Sequence, residues 1–184
     1  MEYEVIRSRR KTLSMQIKDG RIEIRAPLRT TDAEIRQFLE KHRRWLEKHI
    51  MRAREIEQAK AGVRKLTKAE IEDLKKQARK VIPERAAYYA PLIGVTYGKI
   101  AIRCQKTRWG SCSSKGNLNF NCLLMLTPAG VIDSIVVHEL CHRKVMNHSA
   151  RFYAEVTRVL PEYRQYERWL KDHGAMILAM VEAA

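Results

Sequence analysis

The sequence predicts an α+β fold, and three observations carry that prediction. Short segments near the N-terminus and in the middle of the chain alternate polar and apolar residues with a period of two. Two long segments between them repeat apolar residues at helical spacing and open on capping boxes. The C-terminal third reads as further helices, one of them strongly apolar. The expected organisation is a β-hairpin and long basic helix over residues 1–65, packed on a core over residues 66–184 as one continuous domain.

Each element has its own signal. Val5, Ser14–Ile17 and Ile22–Ile24 read as strands, with Asp19-Gly20 as the tight reversal between the last two. Thr31 and Glu34 form a capping box for one long helix whose stripe runs Ile35, Phe38, Leu39, His42, Trp45, Leu46, His49, Ile50, Ala53 and Ile56, and which Gly62 ends. A second box, Thr67 and Glu70, opens a helix with Leu74, Ala78 and Ile82 inward, and Pro83 should kink or interrupt it. Val95–Tyr97 and Ile100–Cys104 then alternate as strands, Thr107–Gly116 is a turn-rich loop, and Asn117–Cys122 alternates as a half-exposed strand. Thr127 and Pro128 read as N-cap and first residue of a helix. Ser149 can cap another, and Pro161 opens a last one that Gly174 should end.

Composition bounds the function. With 45% hydrophobic residues among 184, the chain can bury a core without disulfides, and wholesale disorder is excluded. No segment approaches the roughly 20 apolar residues of a membrane span. The N-terminus lacks an export signal, so a cytoplasmic protein with free thiols at Cys104, Cys112, Cys122 and Cys141 is expected. The net charge is +15, and residues 1–65 hold 18 Lys+Arg against 10 acids. Such a balance draws polyanions, nucleic acid among them, or simply solvates the surface.

The chemistry concentrates in His138-Glu139-Leu140-Cys141-His142, an HExxH motif on the apolar helix. Residues four apart share a helix face, so the two imidazoles can meet one ion, and neutral imidazole suits Zn²⁺. Glu139 can then reach a zinc-bound water as general base without binding the metal. A catalytic zinc usually takes three protein ligands. His148 is the foremost third ligand if Asn147 ends the helix and turns the chain back; it could also be a mere neighbour of the next helix. His173 and Glu155 are weaker candidates. His42 and His49 could bind metal but fit better as borders of a core stripe. Cys141 should point off the ligand face into packing. Trp109 could wall a cleft or plug the core. Tyr163, Tyr166, Arg143 and Arg151 are open candidates for oxyanion stabilisation.

Arg108-Trp-Gly-Ser-Cys-Ser113, Gly116, Asn121, Val136–His142, Asn147-His-Ser149 and Phe152 together resemble the YgjP-like metallopeptidase family, itself similar to WLM and SprT-type zincins. The resemblance is strongest from about Tyr97 to Gly174 and weaker over the N-terminal strands and helices. It implies a zincin-like core: a small, mostly antiparallel sheet and an HExxH helix, preceded by the N-terminal hairpin and basic helices. It also implies one zinc on His138, His142 and His148, with Glu139 as base. By analogy with zincins, Asn117–Cys122 would be the edge strand that pairs with an extended substrate. SprT-type relatives act on proteins attached to DNA, so recruitment to nucleic acid is conceivable by the same analogy.

The expected function is therefore zinc-dependent hydrolysis of protein or peptide substrates. Two alternatives stay open on the residues alone. A metal-activated water could attack nucleotide phosphoanhydrides, although no phosphate-binding loop or carboxylate cluster for Mg²⁺ is present. A nucleic-acid-associated binding protein with this metal site is the other, although structural zinc sites usually close with four ligands.

Overall fold

The computed structural model describes residues 3–18 and 21–181, and divides the chain into two compact units, Met1–Gly62 and Val63–Ala184. The Asp19-Gly20 reversal lies outside the described residues. No helix among the described residues is long and apolar enough to cross a membrane.

The N-terminal unit opens with strands β1 (Tyr3–Ser8), β2 (Ser14–Lys18) and β3 (Arg21–Pro27), in the order β1-β3-β2. β3 pairs parallel with β1 and antiparallel with β2. Its alternation buries Ile22, Ile24 and Ala26, which pack with Ile35 and Leu46. Those last two come from helices α1 (Asp32–Lys41) and α2 (Arg43–Ala61). The Thr31 box forms as expected: Thr31 N–H donates to Glu34 at 2.7 Å, and Glu34 N–H returns to the Thr31 hydroxyl at 3.3 Å.

The single long helix expected here is two. The chain breaks at His42, whose φ of −109° and ψ of 14° leave the helical basin. The ring Nδ1 of His42 lies 2.7 Å from the Phe38 carbonyl, while its amide turns to Leu39. The break therefore leaves neither group unsatisfied.

The second unit starts with α3 (Lys68–Ile93), under the expected Thr67 capping box. Pro83 does not interrupt it, and Pro91 is also internal. Burial of Leu74, Ala78, Ile82, Ala86, Tyr89 and Ile93 along one face outweighs the lost backbone bonds. Gly94 ends the helix in the left-handed region, φ 77°. Val95–Tyr97 is not a strand, because its backbone is used elsewhere: Val95 N–H caps α3 at Ala90, and the Thr96 carbonyl accepts from Arg143.

Strands β4 (Ile100–Arg103), β5 (Gly110–Cys112) and β6 (Leu118–Asn121) form the sheet β4-β6-β5. It is mixed rather than mostly antiparallel, with β6 parallel to β4 and antiparallel to β5. A 3-10 helix (Cys122–Leu126) follows, then α4 (Ala129–Cys141), α5 (Ala150–Val159) and α6 (Tyr163–Leu178). Thr127 does not cap α4; its hydroxyl donates to the Leu124 carbonyl at 2.8 Å and closes the 3-10 helix. Gly174 does not end α6. It stays helical because the Trp109 indole lies on it, within 3.1 Å of where a Cβ would stand. Trp109 thus packs against the core, which is the structural one of its two roles.

Candidate metal centre

The site is built on the C-terminal end of α4. That helix carries Val131, Ile132, Val136, Val137, Leu140 and Cys141 into the core, so it is covered nearly all round. The Arg85 guanidinium of α3 grips its Asp133 carboxylate through two bonds, at 2.5 and 2.7 Å. Cys141 is fully buried, as packing requires, and burial pushes its thiol up to about 12.

His138 and His142 project from α4 one turn apart, and His148 returns from the following turn. Their ligating nitrogens all lie within 4.8 Å of one another. His138 Nε2 stands 3.2 Å from His142 Nε2 and 3.0 Å from His148 Nε2. Two nitrogens on a tetrahedral zinc at ordinary bond lengths are about 3.3 Å apart. Among the described residues this is the one His, Cys, Asp and Glu group with such convergence. Glu155 is instead bonded to Lys144 and Arg158, and His173 to the Trp169 carbonyl. His42 and His49 likewise sit on backbone carbonyls, of Phe38 and Trp45.

The helix ends sooner than Asn147. His142 already sits at the C-cap in helical conformation, and a tight turn over Arg143–Val145 follows. That early stop has a use. The freed Val145 carbonyl accepts from His142 Nδ1–H at 3.1 Å, which leaves Nε2 unprotonated and facing the cluster. His138 Nδ1 lies 2.9 Å from the buried Tyr163 hydroxyl. Phe152 of α5 packs on all three imidazoles, with ring centroids at 4.8, 4.5 and 5.0 Å from His138, His142 and His148. Burial first, and then the neighbouring imidazoles, push His138 down to about 3, so it stays neutral. Three imidazole nitrogen donors without a thiolate or carboxylate suit a zinc ion.

Glu139 turns the other way, toward β5. It is 5% exposed, and burial pushes its carboxyl up to about 8 against the opposing pull of Arg108. A Cβ on Gly110 would stand 2.7 Å from Glu139 Oε1, so only glycine lets β5 lie against this carboxylate. Asn121, fully buried, holds the chain that leads there. Its amide donates to the Gln105 and Arg108 carbonyls at 2.6 and 3.0 Å, and its oxygen accepts from Leu123 N–H at 3.2 Å. Gly110 and Asn121 stand in the sequence motif, but spacing alone assigned neither a role. A glycine next to a large aromatic ahead of an alternating strand was the available signal.

β6 is the central strand, so Asn117–Cys122 cannot be the free edge expected beside the site. β5 is. Trp109 and Ser113 bond toward β6 on either side, which turns the main-chain groups of Gly110 and Cys112 away from it. Of the oxyanion candidates, Tyr163 is committed to His138, and Arg143 donates to Thr96 and Ser114 carbonyls around Gly116, φ 81°. The Tyr166 ring lies against Gly130, and Arg151 is exposed on α5.

An α+β unit presenting an HExxH helix, a third converging histidine and an edge strand has the layout of a metallopeptidase. The family model for the YgjP-like metallopeptidase domain matches residues 11–70 and 54–173, and the chain belongs to that family. Two solved structures are similar over half of this chain. One is the metallopeptidase zymogen abylysin of Pyrococcus abyssi, 22% identical, 94% covered, TM-score 0.45. The other is the zymogen jannalysin of Methanocaldococcus jannaschii, 21% identical, 96% covered, TM-score 0.45. No curated protein matches.

Proposed function

We propose that this metallopeptidase-family chain is a zinc-dependent peptidase, with His138, His142 and His148 as metal ligands and Glu139 as general base. The observation that carries the reading is the convergence of three imidazole Nε2 atoms at the helix that also buries the Glu139 carboxylate against edge strand β5. Zinc bound there would act as a Lewis acid and lower the pKa of water. An extended peptide adds to β5 through the outward main-chain groups of Gly110 and Cys112, which gives affinity with little side-chain choice. Glu139 takes the proton of the attacking water and returns it to the leaving amine. Its carboxylate is held by burial against Gly110, with the Arg108 charge opposing the upward push of that burial. Tyr163 and the Val145 carbonyl hold the two helix imidazoles in the ligating orientation.

The test combines hydrolysis of an unfolded protein with metal content per chain. Wild type should carry about one zinc, and chelation should abolish hydrolysis reversibly. Glu139→Gln should keep the zinc and lose about 10²- to 10⁴-fold in kcat, the range of one general base. His148→Ala should lose the zinc itself. Unchanged turnover in Glu139→Gln, or zinc retained in His148→Ala, would overturn the assignment of these roles.

A further inference from the structure

The N-terminal unit carries a feature the metal centre does not use. Trp45, near the start of α2, is 42% exposed, so its indole is open to a ligand. Its neighbours are cationic. Arg44 precedes it, Lys48 lies one turn on, and Lys41 stands one turn before, at the end of α1. Lys41, Arg44 and Trp45 line one open hollow at the α1–α2 junction. None of these three cations has a carboxylate partner among the described residues. The nearby acids are occupied, since Arg43 holds both Glu40 and Glu47. Glu55, two turns beyond Lys48, ends the cationic run.

The indole is also pre-ordered. His49 stacks on it, with centroids 4.1 Å apart and planes at 22°, and the His49 ring nitrogen is tied 2.8 Å from the Trp45 carbonyl. A ring held from one side by a stacked neighbour and flanked by unpaired cations meets the two requirements of an unpaired nucleotide: a π-face for the base and positive charge for the phosphates. Duplex DNA offers the phosphates but keeps its base faces stacked away. A lipid surface needs a broad apolar stripe, whereas the inward face of α2, around Leu46 and Ile50, already belongs to the unit's core.

We propose that the Lys41, Arg44, Trp45 and Lys48 face binds single-stranded nucleic acid, with the indole stacked on a base and the three cations on adjacent phosphates. The surface shares no residue with the metal centre, so its binding should persist in the presence of a chelator.

The test is fluorescence anisotropy of a labelled 15-nucleotide oligothymidylate with the full chain, over a series of salt concentrations. Trp45→Ala should weaken binding about 10-fold without changing the salt slope, and Trp45→Tyr should retain most of it. Arg44→Glu and Lys48→Glu, both exposed and tolerant of change, should each weaken binding and lower the salt slope by roughly 0.7 per lost phosphate contact. Lys171→Glu, an equal charge change on exposed α6, should leave binding within about twofold. Three results would overturn the proposal: Trp45→Ala binding as wild type, Lys171→Glu costing as much as Lys48→Glu, or duplex DNA, polyglutamate or anionic vesicles competing as well as the oligothymidylate.

Discussion

The two sheets share one topology and differ in chemistry. In each, the first strand runs parallel to the third and the second runs antiparallel to it. In the N-terminal sheet the central strand β3 buries Ile22, Ile24 and Ala26 and leaves Arg21 and Arg25 outside. In the other, β6 buries Leu118, Phe120 and even Asn121. The outer strand β2 carries Met15 opposite Ile24, whereas β5 carries Gly110 opposite Phe120. The same wiring thus supports a sheet packed on its own apolar cluster in one unit and one wall of a candidate active site in the other. The difference lies in the helix laid beside the strand and in the one missing side chain that lets a carboxylate approach.

The sharpest way to break this contrast is to give β5 a side chain. Gly110→Ala should displace Glu139 and lower kcat about 100-fold, in line with a misplacement near 1 Å, while zinc content stays at wild-type level. The matching change in the other sheet, Met15→Ala, should leave kcat within about twofold and cost only stability, about 1–2 kcal/mol for a partly buried side chain. If both variants lose kcat equally, the distinction between the sheets fails. Next in size is Tyr163→Phe. Loss of the hydroxyl partner of His138 should weaken zinc binding about 10-fold, measured by competition with a chelating dye, with little change in secondary structure.

In the N-terminal unit, Ile24→Val should cost about 1 kcal/mol, read as faster amide exchange across β1–β3, with zinc affinity unchanged. The smallest expected effect concerns pH. Hydrogen bonds from Arg158 and then Lys144 hold the Glu155 carboxyl at about 2, below its ordinary 4.5. A depressed carboxyl contributes its full stability above about pH 4.5 and loses it as the pH falls toward 2. Glu155→Gln should therefore flatten the acid limb of Tm against pH and cost about 1 kcal/mol at neutral pH. An acid limb identical to wild type would remove Glu155 from that account.

What the sequence determined by itself is local. Both threonine capping boxes, the pairing of His138 with His142 on one helix face, and the alternation of β3 follow from backbone periodicity over a few residues. The linked motifs also pointed to the family. What only the tertiary structure decided involves groups far apart in the chain. Gly174 continues a helix because Trp109 covers it, and Pro83 is tolerated because α3 buries a whole face. Val95–Tyr97 forms no strand because its backbone partners lie elsewhere, Arg143 among them. The edge strand is β5 rather than β6, since strand order is a property of pairing that alternation does not encode. His148 joins the other two histidines only because a turn and a packed Phe152 bring it back. Local spacing sets which face a side chain takes; long-range packing sets what that face meets.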